Sequence, residues 1–248
     1  METLPGRTQS AGTLAIVLAF TILGHGCQPG ISRRTVEQAM SGRAGANTAR
    51  DRVSRAGEKA IPLIFDVVRD STDELVPQRA LLLIMGMVSL HTADPSAPYI
   101  RKILANQQEP ERIRVLAADM LSEYSESPEP LRALIEHARR DPLEAVRVQC
   151  IASLGGLALS QVAGSKSVDR DVQQLFTASI QDKSTKVREQ TCGAAIVVVR
   201  EALYEGIELA WCRQILIQGK HDKEYVVRKA ALDGLFILES IRRKQGKR

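Results

Sequence analysis

"RDPLEAVRVQCIASLGGLA", Arg140 to Ala158, and "KHDKEYVVRKAALDGLFIL", Lys220 to Leu238, share one cadence. An Asp comes first, Val-Arg follows five and six residues later, and small or apolar residues then recur at helical spacing. From Val146 they fall at Cys150, Leu154 and Leu157, and from Val227 at Ala231, Leu235 and Leu238. Each set makes one stripe on a helix of about 3.6 residues per turn.

Aligned on the Arg, the cadence recurs as "DELVPQR" to Arg79, "QEPERIR" to Arg114, "DPLEAVR" to Arg147, "DKSTKVR" to Arg188 and "DKEYVVR" to Arg228. Six residues before each Arg stand Asp73, Gln108, Asp141, Asp182 and Asp222, and successive Arg spacings are 35, 33, 41 and 40. That unit is the length of one helical hairpin. The shorter first helices are expected in "KAIPLIFDVVRD", "APYIRKILANQ", "EPLRALIEHARRD", "RDVQQLFTASIQD" and "ELAWCRQILIQG", with Pro62, Pro98 and Pro130 near three of their starts, where a missing N–H does least harm. Asp141, Pro142 and Glu144 form the pattern of an N-cap with a capping box. No long alternating segment or Asn-Gly turn points to a sheet, and the 4% aromatic content within a 44% hydrophobic chain suits helices filled with Ala, Leu, Ile and Val.

At these residues the chain resembles the HEAT-repeat family, especially the short bacterial HEAT-like repeats also found in phycobilin lyases. The resemblance covers about Val53 to Ile241 and rests on the repeated Asp, the Val-Arg or Ile-Arg step, the small residue three places on, and "AIPLI" at Ala60 to Ile64. It implies an all-α, right-handed α-α solenoid of about five hairpins, opening with a half-repeat near Asn47 to Gly57. In the family such Asp and Arg rows form a ladder between stacked second helices. The ladder here would comprise Asp73, Arg79, Arg114, Asp141, Arg147, Asp182, Arg188, Asp222 and Arg228. Departures are Gln108 for Asp, Pro77 two residues before Arg79, and Leu82 where a small residue is expected.

The chain is expected to divide into a signal segment 1–26, a linker 27–46, the array 47–241 and a basic tail 242–248. "AGTLAIVLAFTIL", Ala11 to Leu23, is too short for a bilayer span of about 20 residues and fits the apolar core of an export signal. Its ending, "LGHGC", resembles a bacterial lipoprotein signal with Cys27 as the lipidated residue, although Leu23 stands one place too early; Gly24-His25-Gly26 also fits ordinary signal cleavage. Gln28 in place of Asp implies, by the same resemblance, the outer membrane of a two-membrane host. Segments 27–59 and 242–248 carry net charges of +4 and +5, whereas 60–241 carries −4. The basic ends could hold to anionic headgroups beside a lipid anchor, or simply keep the array's ends solvated.

Cys150, Cys192 and Cys212 have no C-x-x-C pairing and no His cluster to suggest zinc, and buried free cysteines account for them better than a Cys192–Cys212 bridge. No phosphate-binding, nucleophile-elbow or zinc-protease motif occurs, so neither a catalytic residue, a metal nor a cofactor is expected. His91, His137 and His221 fall near helix ends, where carbonyl capping explains them, and Trp211 is expected to pack between helices. The 41- and 40-residue spacings place insertions at Ser160 to Val168 and Arg200 to Glu208, giving Ser160, Lys166, Ser167, Tyr204 and Glu205 as candidate recognition-loop residues along one edge. The reading is a non-catalytic scaffold tethered in the cell envelope that binds a protein partner. The alternatives are a lyase-like or enzyme-accessory protein holding a small molecule and, behind that, a nucleic-acid binder, a partner an exported protein would seldom meet.

Overall fold

The computed structural model describes residues 30–89, 96–124 and 128–245. Cys27, Gln28, His91 and the signal segment lie outside them. Among the described residues there are twelve α-helices and no strand. They pair as six hairpins: α1 (Arg33–Met40) with α2 (Ala46–Ala56), α3 (Ile61–Asp70) with α4 (Val76–Ser89), α5 (Ala97–Ala105) with α6 (Glu111–Leu121), α7 (Pro128–Arg140) with α8 (Glu144–Ser165), α9 (Arg170–Ser179) with α10 (Thr185–Tyr204), and α11 (Ala210–Gly219) with α12 (Tyr225–Gln245). A short 3-10 turn, Gly57–Ala60, joins α2 to α3.

The chain is a two-layer helical solenoid. The second helices stack in sequence, α2 on α4, α4 on α6, α6 on α8, α8 on α10 and α10 on α12. The first helices form the other layer, with α5 on α7, α7 on α9 and α9 on α11; Phe65 of α3 meets Tyr99 of α5 edge to face at 6.0 Å. Each stripe fills the seam between layers: Ala80, Ile84, Ala117, Cys150, Leu154, Val187, Ala195, Val227 and Ala231 are all fully buried. One hairpin alone would leave such a stripe in water, at about 1.5–3 kcal/mol for each large aliphatic side chain, so the units hold only as a stack.

Close approach of neighbouring helices depends on small residues. A methyl group on Gly155 of α8 would lie 3.0 Å from the Ala194 Cβ of α10, and one on Gly219 would lie 2.7 Å from Cys192 Sγ and 2.9 Å from Ala231 Cβ. Cysteine at 192 thus behaves as a small apolar filler.

Three boundaries differ from the sequence reading. Segment 27–46 is not simply a linker, because α1 lies in it: Ser32 accepts the Thr35 N–H at 3.3 Å, Val36, Ala39 and Met40 are buried, and Arg33 is 2.7 Å from Asp70 of α3. The array therefore opens with a whole hairpin rather than a half-repeat, turned by Gly42 and Gly45 at φ values of 66° and 83° that favour glycine. Segment 242–248 is not a free tail throughout, since α12 continues to Gln245; Arg242 pairs with Glu208, and cations suit the negative end of a helix.

The third difference concerns length. α8 has 22 residues and α10 has 20, against 11 in α6. Ser160 therefore sits in helix, not loop, because Ala158 and Val162 continue the apolar stripe beyond Leu154 and are fully buried. α8 is long and apolar enough to cross a bilayer by length and composition, yet 56% of that window is buried against its neighbours in the fold.

Candidate functional site

The turns that start α4, α8, α10 and α12 each put an Asp carboxylate against a following backbone N–H group. Asp141 accepts from Leu143 N at 3.1 Å, Asp182 from Ser184 N at 2.7 Å, Asp222 from Glu224 N at 2.8 Å and Asp73 from Leu75 N at 2.9 Å. These are side-chain-closed turns preceding the helix. Asp141 is consequently not the N-cap of α8; Leu143 holds that position without a side-chain bond, and Glu144, instead of closing a capping box, accepts from Ser184 Oγ at 2.6 Å and Lys186 Nζ at 3.1 Å in the next repeat. The hydroxyl and ammonium of those two groups hold the Glu144 carboxyl below its ordinary range.

The Arg side chains then run from repeat to repeat. Arg147 donates to its own Asp141 carbonyl at 2.9 Å and reaches Asp182 of the next unit at 3.3 Å. Arg188 donates to the Asp182 carbonyl at 2.9 Å and grips both oxygens of Asp222 at 2.6 and 3.0 Å. That grip is the chief reason the Asp222 carboxyl is lowered and the Arg188 guanidinium raised from their ordinary values. Arg114 forms a two-point pair with Asp141 and donates to the Leu104 carbonyl at 2.9 Å. Arg228 donates to the Asp222 and Lys223 carbonyls at 2.8 and 2.6 Å, and ends the row with no carboxylate partner among the described residues.

The row is weaker at its beginning. The equivalent of the Asp in the second aligned unit is Asn106, not Gln108, for Asn106 Oδ1 accepts the Gln108 N–H at 3.0 Å. A neutral amide stands where Arg79 would need a carboxylate, and Arg79 turns back to the Met40 carbonyl at 2.9 Å and its own Asp73 at 3.2 Å. His137 does not cap a carbonyl: its Nδ1 lies 2.8 Å from Asp141 Oδ2, adding a third group to the most buried rung.

The two lengthened helices bring the recognition candidates together. Lys166, in a left-handed conformation at φ 59°, ends α8 and forms an ion pair with Glu205 beyond the end of α10. Ser167 Oγ lies 3.2 Å from Ser165 Oγ, Ser160 Oγ donates to the Gly156 carbonyl at 3.3 Å, and Tyr204 is 66% exposed at the last residue of α10. Beside this edge a cavity of about 360 Å³ is lined by Tyr124, Leu131, Leu157, Gln161 and Gly164 among others. Sequence reasoning missed Tyr124, which follows α6 of the preceding hairpin, and Leu131 of α7, which only the folded packing brings to α8.

Cys150, Cys192 and Cys212 are free and buried. Burial raises all three thiols, Cys192 to about 12. Trp211 packs on Phe176 with ring centroids 5.8 Å apart. Among the described residues no group of three His, Cys, Asp or Glu side chains is placed to hold a metal.

No family model matches the chain, and no curated protein does. Among solved structures it is similar to a designed armadillo repeat protein in complex with the peptide (KR)4, at 15% identity and TM-score 0.43, covering 83% of this chain and 98% of that one. It is also similar to YibA of E. coli, at 15% identity and TM-score 0.47 over 78% and 74% of the two chains. The S. pombe condensin subcomplex matches at 13% identity and TM-score 0.49, over 82% of this chain and 32% of that one. All are helical-repeat proteins.

Proposed function

We propose that the chain is a non-catalytic scaffold that binds a protein partner along the edge where the far ends of α8 and α10 meet through Lys166 and Glu205. The observation that carries this reading is the convergence there of exposed Tyr204, the Lys166–Glu205 pair and the adjoining cavity of about 360 Å³. An exposed aromatic next to one partner of an ion pair, with a recess reaching Ser165 next to the other, is the kind of surface that anchors another chain. The Asp and Arg rows are engaged with one another and with carbonyls, which commits them to stacking the repeats. The designed armadillo protein that this chain resembles in fold was solved with a peptide bound, consistent with such use.

The proposal includes a tether. Export by segment 1–26 and lipidation at Cys27 would hold the scaffold in the cell envelope, with an ordinary cleavage site yielding a free exported protein as the alternative. Metabolic labelling with an alkyne fatty acid should mark the wild type and not Cys27→Ser. Affinity capture on the wild type should then recover a partner that is lost with Tyr204→Ala and Lys166→Glu while thermal melting is unchanged. Unlabelled wild type sinks the tether; capture indifferent to both edge substitutions sinks the recognition edge.

A further inference from the structure

The last helix has a second face. In the interior of the array each second helix packs between two others, α8 between α6 and α10, and α10 between α8 and α12; among the described residues α12 has α10 alone on its row. Its buried side carries Val227, Ala231, Leu238 and Ile241. On its open side stand Tyr225, Lys229, Leu232, Phe236, Glu239 and Arg243, all exposed. Their spacings are 4, 3, 4, 3 and 4, the seam of a coiled coil. Tyr225, Leu232 and Phe236 are 66%, 53% and 71% exposed, apolar groups that one helix cannot shelter.

We propose that α12 is a homodimerisation helix, pairing antiparallel with α12 of a second copy about an axis near Gly234. The seam is complementary to itself in that direction and register. Leu232 meets the partner's Phe236, Lys229 meets the partner's Glu239, and Tyr225 meets the partner's Arg243, each contact made twice by the two-fold axis. Leu and Phe form the apolar centre, opposite charges flank it, and a guanidinium over a phenol ring closes each end. The intrahelical pairs Lys229–Asp233 at 2.7 Å and Glu239–Arg243 at 3.6 Å are exposed and weak enough to share.

Head-to-tail stacking of copies fits poorly. The opening helix of the second row, α2, exposes Asn47, Arg50, Asp51, Arg52 and Arg55, a polar surface to set against Phe236. It also lacks a carboxylate-closed turn for Arg228: in that hairpin Ser41 Oγ accepts the Arg43 N–H at 3.2 Å. The two-fold arrangement closes after two copies and cannot grow into a fibre.

A 21-residue helix is about 30 Å long, so the contact falls at the small end of interface sizes and a dissociation constant on the order of 1–100 µM is expected. Sedimentation equilibrium of the full chain in density-matched non-ionic detergent, from about 1 to about 200 µM, should give a monomer–dimer equilibrium in that range. Phe236→Asp should weaken it by about tenfold or more, Lys229→Glu by severalfold, and Lys229→Glu combined with Glu239→Lys should return it close to wild type. Circular dichroism checks that each variant keeps its helix. A chain that stays monomeric throughout, or a dimer indifferent to Phe236→Asp, overturns the proposal; failure of the charge exchange to rescue overturns the antiparallel register.

Discussion

Arg114 and Asp141 belong to successive repeats and meet through two hydrogen bonds with both side chains only 1% exposed. Two charges out of water gain little net stability from each other, yet removing one strands the other at a cost of about 3–5 kcal/mol. Arg114→Met should therefore lower the folding free energy by about that amount. Arg79→Met, whose pair with Asp73 is 26% and 50% exposed on its two sides, should cost about 0–1 kcal/mol. Denaturant titrations of the two variants test the contrast, and equal losses would demote the rung to ornament.

Two carboxylates should give stability opposite dependences on pH. Asp119 of α6 is raised from 3.8, first by burial and then by the charge of Glu123, although Gln149 Nε2 donates to it at 2.9 Å. A folded-state value above the unfolded one means that its ionisation destabilises the fold as pH rises through it. Asp119→Asn should melt higher than wild type at pH 7, with the gain vanishing below about pH 3.8. Asp222 is lowered, so its contribution is present above its unfolded value of 3.8 and lost as pH falls through the folded value. Asp222→Asn should melt lower at pH 7 and converge on wild type in acid. Melting curves from pH 3 to 8 would refute the assignment if both variants shift the same way.

Glycine substitutions should divide by what a methyl would meet. Gly219→Ala must displace the Ala231 Cβ, which has no rotamer to escape into, and overpacking of that kind costs about 1–3 kcal/mol. At Gly156, exposed within α8, an added Cβ meets nothing within 4 Å, and better helix propensity should stabilise by about 0.5–1 kcal/mol. Opposite shifts in melting temperature are expected from the same chemical change.

The three thiols provide a reporter of opening. With Cys150, Cys192 and Cys212 buried and raised, a thiol reagent at pH 8 should label none of them in the folded chain, and all three should react together once denaturant passes the unfolding midpoint. Rapid native labelling of Cys192 alone would mean that the α10–α11 contact opens locally.

Much of this was written in the chain order of a few residues. The six-residue step from Asp141 to Arg147, from Asp182 to Arg188 and from Asp222 to Arg228 marks each rung, because the turn and the helix start have fixed geometry. Where a turn is two residues longer the same six-residue step fails, so it lands on Gln108 although Asn106 fills the position. α1 escaped notice because eight residues with Val36, Ala39 and Met40 as their apolar set give too little periodicity to stand out. The ends of α8 and α10 were hidden for the converse reason: serines and glycines near Ser160 and Gly164 suggest a loop, but Val162 has a buried place waiting and tertiary packing overrides propensity. That the seam of α12 opposite Val227 and Ala231 is exposed could be seen only once the helix had been placed against α10.

The rungs also have a common gauge. Since Arg114, Arg147 and Arg188 each accept an Asp from whatever hairpin follows, the joints from Asp141 onward are interchangeable, and the array is built like a train whose later couplings all match. Excising Asp141 to Gln181 would leave α7 leading directly to Asp182, which then stands where Arg114 expects Asp141. The shortened chain should still fold in one cooperative melt, because Arg114 would meet Asp182 and Arg188 would keep Asp222. Such a chain can gain or lose a hairpin in a single recombination event without relearning its core, and its length is therefore the property most readily altered by descent.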